Sequence, residues 1–488
     1  MILEQLGIYG WNEQNENLLL AGILTGDPLL LIGTHGTAKT HLATKFAEAL
    51  GKRFISYDAS KALFEDVLGY PDIKKLQEGE ISYIPSKVTL WDKEFVFIDE
   101  LNRALPEMQN KWLEIIRSRK IMGYDTDATW VWSAMNPLSY AATQALDEAL
   151  VGRFALFVYP PELLDMNEHD RVKIAGHING DDAPALKVWN SETNGKTVNP
   201  KEVAACGKEV IELLHRAAQH FTQLTAKMNG MGTFLARYAD LLARETNNEI
   251  RLDGRRLGFM YRNIIAAQAI ELAKAEKHGT KPQLVADTAR YTIQSSIPVG
   301  INEDNTARDE SLHKIDICFD LLKDCLEGNG NSEKVELVYE LFTTDDLLRK
   351  TEILITENLS ELASSKAWND ILNRGENVTL FAYTALQVEA HLPGTIPQEL
   401  LESLSARIDP TNLGPDCIPA LKDRTIERVD DIETLLERDS DMEKLLAIQR
   451  VKLLATQETI TPDDIAKTNR LIENDINTFK KLITEGRQ

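Results

Sequence analysis

The sequence predicts an α/β protein in three parts. A three-layered αβα core with a parallel sheet fills residues 1–160, a helical lid with a loop-rich insertion fills 161–300, and an acidic, mostly helical region fills 301–488. Three observations carry this prediction. The apolar run Leu29 to Ile32 breaks at Gly33 and gives way to a helical pattern through His41, Leu42, Phe46 and Leu50. A second apolar run, Glu94-Phe95-Val96-Phe97-Ile98, ends in the adjacent carboxylates Asp99 and Glu100. From Pro160 onward, helical spacing replaces the short apolar runs of buried strands.

Taken in order, residues 3–25 read as a helix packing ahead of the first strand, through Leu18-Leu19-Leu20-Ala21-Gly22-Ile23-Leu24. Gly26-Asp27-Pro28 turns the chain into that strand, and a second strand, Arg53 to Tyr57, follows the first long helix. Phe64 to Pro71 reads as a turn, and Glu80 to Pro85 as a short strand forming one arm of a hairpin. After Glu100 come a helix from Pro106 to Arg117, a hairpin over Arg119 to Tyr124 and a strand from Thr129 to Ala134 that ends in Met135-Asn136-Pro137. A helix-like stretch leads to Leu146-Asp147-Glu148-Ala149 and Arg153-Phe154, then to a strand from Ala155 to Tyr159. Pro161-Glu162-Leu163-Leu164 starts helical, and Gly176 to Val198 is rich in Gly, Asn, Asp and Thr and reads as an insertion.

Farther on, Val210, Leu213, Leu214, Ala217, Phe221 and Leu224 mark an amphipathic helix. Another helix starts near Asp253, with Arg255 and Arg256 in its first turn and Tyr261, Ile264, Ile265 and Ala269 on one face. Helical spacing recurs over 312–327, 333–342, 346–359 and 431–454, and in a last helix over 471–483; Gly328 to Asn331 reads as a turn and Pro393 to Pro397 as a linker.

Composition narrows the functional classes. The apolar fraction of 43% and charged fraction of 27% are those of an ordinary globular protein. No apolar run approaches the ~20 residues of a membrane span. No basic n-region precedes an apolar stretch, so a cytoplasmic protein without membrane contact is expected. Cys206, Cys318, Cys325 and Cys417 are scattered and form no CxxC pair, which suits buried free thiols. His313 and His391 are isolated and read as surface residues, and no cluster has metal-ligand spacing. The net charge is −22; residues 301–488 hold 38 acidic and 21 basic residues and contribute −17 of it. A nucleic-acid binder should carry a basic face instead.

The chemistry sits in the loop Gly33-Thr34-His35-Gly36-Thr37-Ala38-Lys39-Thr40, with His41 inside the helix that follows. Backbone N–H groups of such a loop and of the helix N-terminus converge on one spot and favour a polyanion there. Lys39 would reach the β- and γ-phosphates of a nucleotide, and the Thr40 hydroxyl would sit on Mg²⁺. The general phosphate-loop pattern has glycine before the lysine; alanine at 38 fits a backbone that is already near-helical there. The bland alternative is an ordinary glycine-rich βα turn. Asp99 and Glu100 would emerge at the carboxyl edge of the sheet, where open α/β sheets bind ligands. Asp99 would hold Mg²⁺ through water, and Glu100 would orient and deprotonate the attacking water. Asn136, at another strand tip, could position that water; taken alone, Asn-Pro is a turn signal.

The order of these motifs resembles the AAA+ ATPases and, within them, the MoxR branch. The loop resembles that branch's Walker A, which often has Ala before the lysine; His35 departs from its usual proline. Asp99-Glu100-Leu101-Asn102-Arg103-Ala104 resembles the Walker B signature and is the most specific match. Asn136-Pro137 resembles sensor 1, and Leu146 to Phe154 resembles the segment that carries the arginine finger. Phe64 to Gly69 and Ile81 to Pro85 occupy the place of the branch's inserted hairpin. The resemblance covers residues 1–160 and continues weakly to 300.

It implies ATP and Mg²⁺ as ligands and a homo-oligomeric ring, a hexamer in the relatives. Arg153 would act in trans on a neighbour's γ-phosphate, and Arg255, or else Arg256, would be the sensor 2 of the lid. It further implies a chaperone-like role toward a protein client, one that could carry a von Willebrand factor A domain. Two other readings stand beside this one: a nucleic-acid translocase or restriction-type motor with Lys74, Lys75, Lys87 or Lys93 near its pore, and a nucleotide-gated scaffold without turnover.

Overall fold

The computed structural model of the chain describes residues 1–177 apart from 81, 139, 141 and 142. It also describes 200–344 apart from 229, 302–304 and 327–331, then 461–485 and isolated positions between 353 and 454. Two compact units result: residues 1–239 with 251–329, and residues 240–250 with 330–488. The first contains the sheet.

The strands are β1 (Leu29–Ile32), β2 (Phe54–Asp58), β3 (Tyr70–Pro71), β4 (Tyr83–Ile84), β5 (Phe95–Asp99), β6 (Lys120–Ile121), β7 (Tyr124–Asp125), β8 (Trp130–Met135) and β9 (Leu156–Val158). Five of them form one sheet in the order β2-β5-β8-β1-β9, with every pairing parallel. The predicted α/β core is thus present, with a mostly helical region after it.

Side-chain alternation explains why these runs are apolar throughout. Leu29, Leu31, Phe95, Phe97, Trp132 and Ala134 enter one core layer. Leu30, Ile32, Val96, Ile98, Val131 and Met135 enter the other. Both faces are covered by helices, as parallel sheets require, so hydrophobicity does not alternate along the strand. Phe46, from the helix Lys39–Ala49, meets the Trp132 ring edge-on at 5.6 Å and ties the loop's helix to the sheet.

The N-terminal helix Glu13–Thr25 and the long helix Gly254–His278 pack on the first layer. Buried polar pairs join them. Lys274 Nζ lies 2.5 Å from Glu16 Oε1, and Asn17 donates to Glu271 at 3.1 Å. Arg262 and Asn263 both donate to Asp27, the turn residue ahead of β1. The lid helix is therefore fixed to the base of the strand that leads into the loop.

Several sequence expectations need correction. Phe64–Leu68 is a short helix and Tyr70–Pro71 a strand, where a turn over 64–71 was expected. Asp66 accepts from the Leu63 N–H and starts that helix, and Gly69, at φ 100°, ends it. An added Cβ at Gly69 would lie 2.4 Å from the Ile84 carbonyl, so glycine lets β3 close on β4. Residues 161–167 are turns, and the helix expected from Pro161 begins only at Glu168. No helix occupies the described residues between Pro137 and Asp147; the next one is Glu148–Val151. The expected insertion at 176–198 lies, from 178 on, outside the described residues, as do the helix over 346–359 except Ile353, most of 431–454, the turn at 328–331 and the linker at 393–397. Within the second unit the described helices include Ser332–Thr343 and Pro462–Glu485. Cys206 and Cys318 are buried and in no disulfide.

Candidate nucleotide site

The loop's geometry begins with the strand before it. Gly33 N–H donates to Met135 O at 3.2 Å, extending the β1–β8 pairing by one residue before the chain leaves the sheet. Gly36 then adopts φ 84°, a left-handed turn that costs glycine nothing. Ala38 is also left-handed, at φ 57° and ψ 25°, and caps the helix Lys39–Ala49. The expectation of a near-helical backbone at Ala38 is thus wrong in hand: the chain turns there in the mirror-image region, where alanine is strained by about 1 kcal/mol.

One open cleft of about 260 Å³ collects most of the expected residues. His35, Gly36, Thr37, Ala38, Lys39, Thr40, His41, Asp99, Glu100 and Asn136 line it. Gly33 and Thr34 lie beneath, where their carbonyls accept from Lys39 Nζ at 2.7 and 2.8 Å. Lys39 is 8% exposed. Burial lowers its ammonium below the ordinary lysine range, against the opposing pull of Asp99 and Glu100. Thr40 Oγ1 donates to Asp99 Oδ2 at 2.5 Å, joining the helix start to the end of β5. The Thr40 hydroxyl and the Asp99 and Glu100 carboxylates are hard oxygen donors on one cleft wall, the donor chemistry that Mg²⁺ takes with phosphate and water.

Asn136 is 2% exposed, and its Oδ1 stands 3.4 Å from Lys39 Nζ. Its backbone is gripped by Asn102, whose Nδ2 donates to Asn136 O at 2.8 Å while its Oδ1 accepts from Asn136 N–H at 3.4 Å. Asn102 stood in the Walker B-like string, but no sequence signal gave it a partner 34 residues away. Glu100 is left-handed at φ 51°, and both its carboxylate oxygens accept from Arg103 Nη1 at 3.0 Å. Sequence reading missed that pairing too. His35 meets the ring of Tyr140 edge-on at 5.1 Å.

Arg153 and Arg255 are not among the cleft's lining residues. Arg153 sits close enough to Arg255 and Arg117 that, after burial, their charges further depress its guanidinium. Its Nε and Nη1 are buried with no hydrogen-bond partner among the described residues. Arg256 is 6% exposed and donates to Phe154 O at 2.7 Å, with Phe157 and Phe259 against its guanidinium. Burial brings it down to about 10. Arg256 is thereby committed to packing, whereas Arg255, one residue earlier, is exposed.

Residues 28–154, which include the whole cleft lining, match the family model of the AAA domain, dynein-related subfamily. Over this segment the chain is similar to AAA domains. Structural protein ORF618 of Acidianus two-tailed virus is 29% identical over 138 residues, 27% of this chain and 22% of the viral protein. The match thus spans about a fifth of that relative's length. A crystal structure of a candidate ATPase from Cytophaga hutchinsonii shares 18% identity with a TM-score of 0.42, over 65% of this chain and 92% of that one. Lys39, Thr40, Asp99 and Asn136 all lie within the matched segment and on the one cleft. Among the described residues, no helix is long and apolar enough to cross a membrane.

Proposed function

We propose that the chain is a ring-forming Mg-ATP hydrolase of the MoxR type that remodels a protein client or assists its maturation. The supporting observation is the convergence of Lys39, Thr40, Asp99, Glu100 and Asn136 on one cleft at the carboxyl edge of a parallel sheet. When ATP binds, Lys39 exchanges the Gly33 and Thr34 carbonyls for phosphate oxygens, and the loop's N–H groups hold the same anion. Thr40 and the Asp99 carboxylate would hold Mg²⁺, which would supply charge neutralisation on the phosphates. Glu100 accepts the proton of the attacking water, and Asn136 fixes that water's position.

Arg153 completes the site from a neighbouring copy. Its two shielded nitrogens without a partner among the described residues, and its place off its own cleft, support a trans role, because shielded N–H donors lacking an acceptor are costly until one arrives. That requirement makes the functional unit a ring, a hexamer by resemblance, while Arg255, as sensor 2, reads the nucleotide held by its own chain's loop.

A protein client is supported by the segment between β2 and β5. Leu63, Tyr70, Ile73, Leu76, Ile84 and Val88 are each more than half exposed there. Such a concentration of bare apolar side chains on a hairpin and its flanks suits contact with polypeptide. By resemblance, a client or partner with a von Willebrand factor A domain fits this reading. The translocase reading has one observation in its favour: Lys74, Lys75 and Lys87 are exposed on the same segment. Residues 63 to 88 also hold five carboxylates, Glu65, Asp66, Asp72, Glu78 and Glu80, so the segment is not basic. Salt-sensitive stimulation of turnover by DNA or RNA would favour the translocase instead. A scaffold without turnover has no use for a water-activating glutamate. Glu100→Gln tests the hydrolase reading: ATP binding is retained and turnover lost, and hydrolysis at the wild-type rate would sink it.

A further inference from the structure

We propose that His35 is a specificity residue whose imidazole donates to the terminal phosphate of the bound nucleotide and so sets a preference for ATP over ADP. The proposal rests on the hydrolase reading above and deepens it.

The loop's own bonds put His35 at its apex. The Gly33 and Thr34 carbonyls hold Lys39 Nζ from below, and the Thr37 hydroxyl donates to Thr34 O at 2.8 Å. That last bond closes a turn whose two middle residues, His35 and Gly36, are exposed and line the cleft. Gly36 has no side chain, which leaves the imidazole as the group that the apex offers a ligand. Its position is fixed from outside the loop. The ring meets that of Tyr140 at 5.1 Å with the planes 78° apart, an edge-on arrangement that ring quadrupoles favour. Tyr140 is itself held, because its N–H donates to Pro137 O at 3.1 Å and its carbonyl accepts from Thr143 Oγ1 at 2.7 Å. Pro137 directly follows Asn136, so His35 is tied to the turn at the tip of β8.

That tie assigns His35 to one end of the cleft. The metal end is marked by the hydrogen bond between Thr40 and Asp99. The other end is marked by Asn136, whose Oδ1 stands 3.4 Å from Lys39 Nζ. Under the hydrolase reading, Glu100 and Asn136 hold the attacking water about 3–3.5 Å from the terminal phosphorus. The terminal phosphate then belongs at the Asn136 end, beside Lys39.

The donors available there are few. Lys39 is the one lysine or arginine in the lining, and the Thr37 and Thr40 hydroxyls already donate within the protein. Of the two histidines, His41 follows Thr40 in the helix at the metal end. His35 can meet the terminal phosphate in either tautomer, since a neutral imidazole always carries one N–H. A bond from it to an ionised oxygen belongs to the stronger class. ADP ends one phosphate short and leaves the imidazole without that acceptor. The loops that resemble this one have proline here, whose side chain offers no donor, so the discrimination belongs to this chain.

The test is titration calorimetry with ATP and with ADP, each with Mg²⁺, on chains that also carry Glu100→Gln so that ATP persists. His35→Phe keeps a ring against Tyr140 and removes the N–H. It should weaken ATP binding about tenfold and leave ADP binding unchanged. His35→Gln, which returns an N–H donor, should recover part of that loss. Tyr140→Ala, which frees the imidazole to wander, should cost ATP binding a few-fold and ADP binding nothing. Thermal melting shows that each variant is folded. Equal losses for ATP and ADP in His35→Phe, or no loss for either, overturn the proposal and leave the hydrolase reading standing. Steady-state hydrolysis by the chain with Glu100 intact reports on that reading separately. Absence of turnover despite ATP binding would end the hydrolase reading and, because it locates the terminal phosphate, the proposal with it.

Discussion

Thr40 and Asp99 are joined by a 2.5 Å hydrogen bond from hydroxyl to carboxylate, which closes the gap between the phosphate loop's helix and the tip of β5. The bond ties the start of the loop's helix to the strand tip and so fixes the two side chains relative to each other. Asp99→Asn should therefore leave the fold intact and weaken Mg²⁺-dependent ATP affinity by roughly 10- to 100-fold. Affinity for ATP in excess chelator should change little. Isothermal titration with and without Mg²⁺ separates the two effects.

Ala38→Gly is expected to stabilise the chain. Ala38 holds φ 57° without help from glycine, at a cost of about 1 kcal/mol or more. Glycine's greater unfolded-state freedom takes back part of that gain. The net effect should be a rise of up to about 1 kcal/mol by denaturant unfolding, with ATP affinity unchanged. A loss of stability would show that the loop's turn is not strained.

Arg255 and Arg256 should separate cleanly. Arg256→Ala removes a buried charge-assisted bond to Phe154 O and its contacts with Phe157 and Phe259. A loss of about 2 kcal/mol in stability is expected. Arg255→Ala leaves an exposed position and should barely move the melting temperature, while lowering turnover about a hundredfold. Melting curves beside kcat measurements decide between them.

The pH dependence follows from Lys39. Burial lowers its ammonium in the folded chain relative to the unfolded one. Between the folded and unfolded values, the unfolded state binds more protons, so this group contributes a rise in stability as pH increases through that window. Phosphate binding needs the protonated form, so ATP affinity should fall at a pH below that at which an ordinary lysine titrates. Lys39→Met should bind ATP weakly at every pH and lose this alkaline dependence.

Much of the site was legible because it is local in sequence. Gly33 to Thr40 and Asp99-Glu100 are contiguous strings whose strand context can be read from apolar runs, and the sheet delivers both to one edge. Asn136 was visible as a strand tip. The rest depended on facts that periodicity does not carry. The hand of the turn at Ala38 is a backbone choice, and the 3₁₀ turn that stacks Arg103 on Glu100 is too short to leave a pattern. The Asn102–Asn136 clasp depends on β5 and β8 being neighbours in the sheet. Likewise, two adjacent arginines look alike in a string; only the packing of Phe154, Phe157 and Phe259 shows that Arg256 is buried and Arg255 is not. The helix at 64–68 escaped notice because five residues give too few turns for a period.

The most direct test of the account mixes two variants, Glu100→Gln and Arg153→Ala, each inactive alone. If Arg153 serves a neighbour's nucleotide, a mixed assembly contains sites with an intact Glu100 facing an intact Arg153, and hydrolysis should reappear on mixing, in proportion to such sites. If Arg153 acts on its own chain's nucleotide, or if no assembly forms, every site lacks one group or the other and the mixture stays as inactive as its parts.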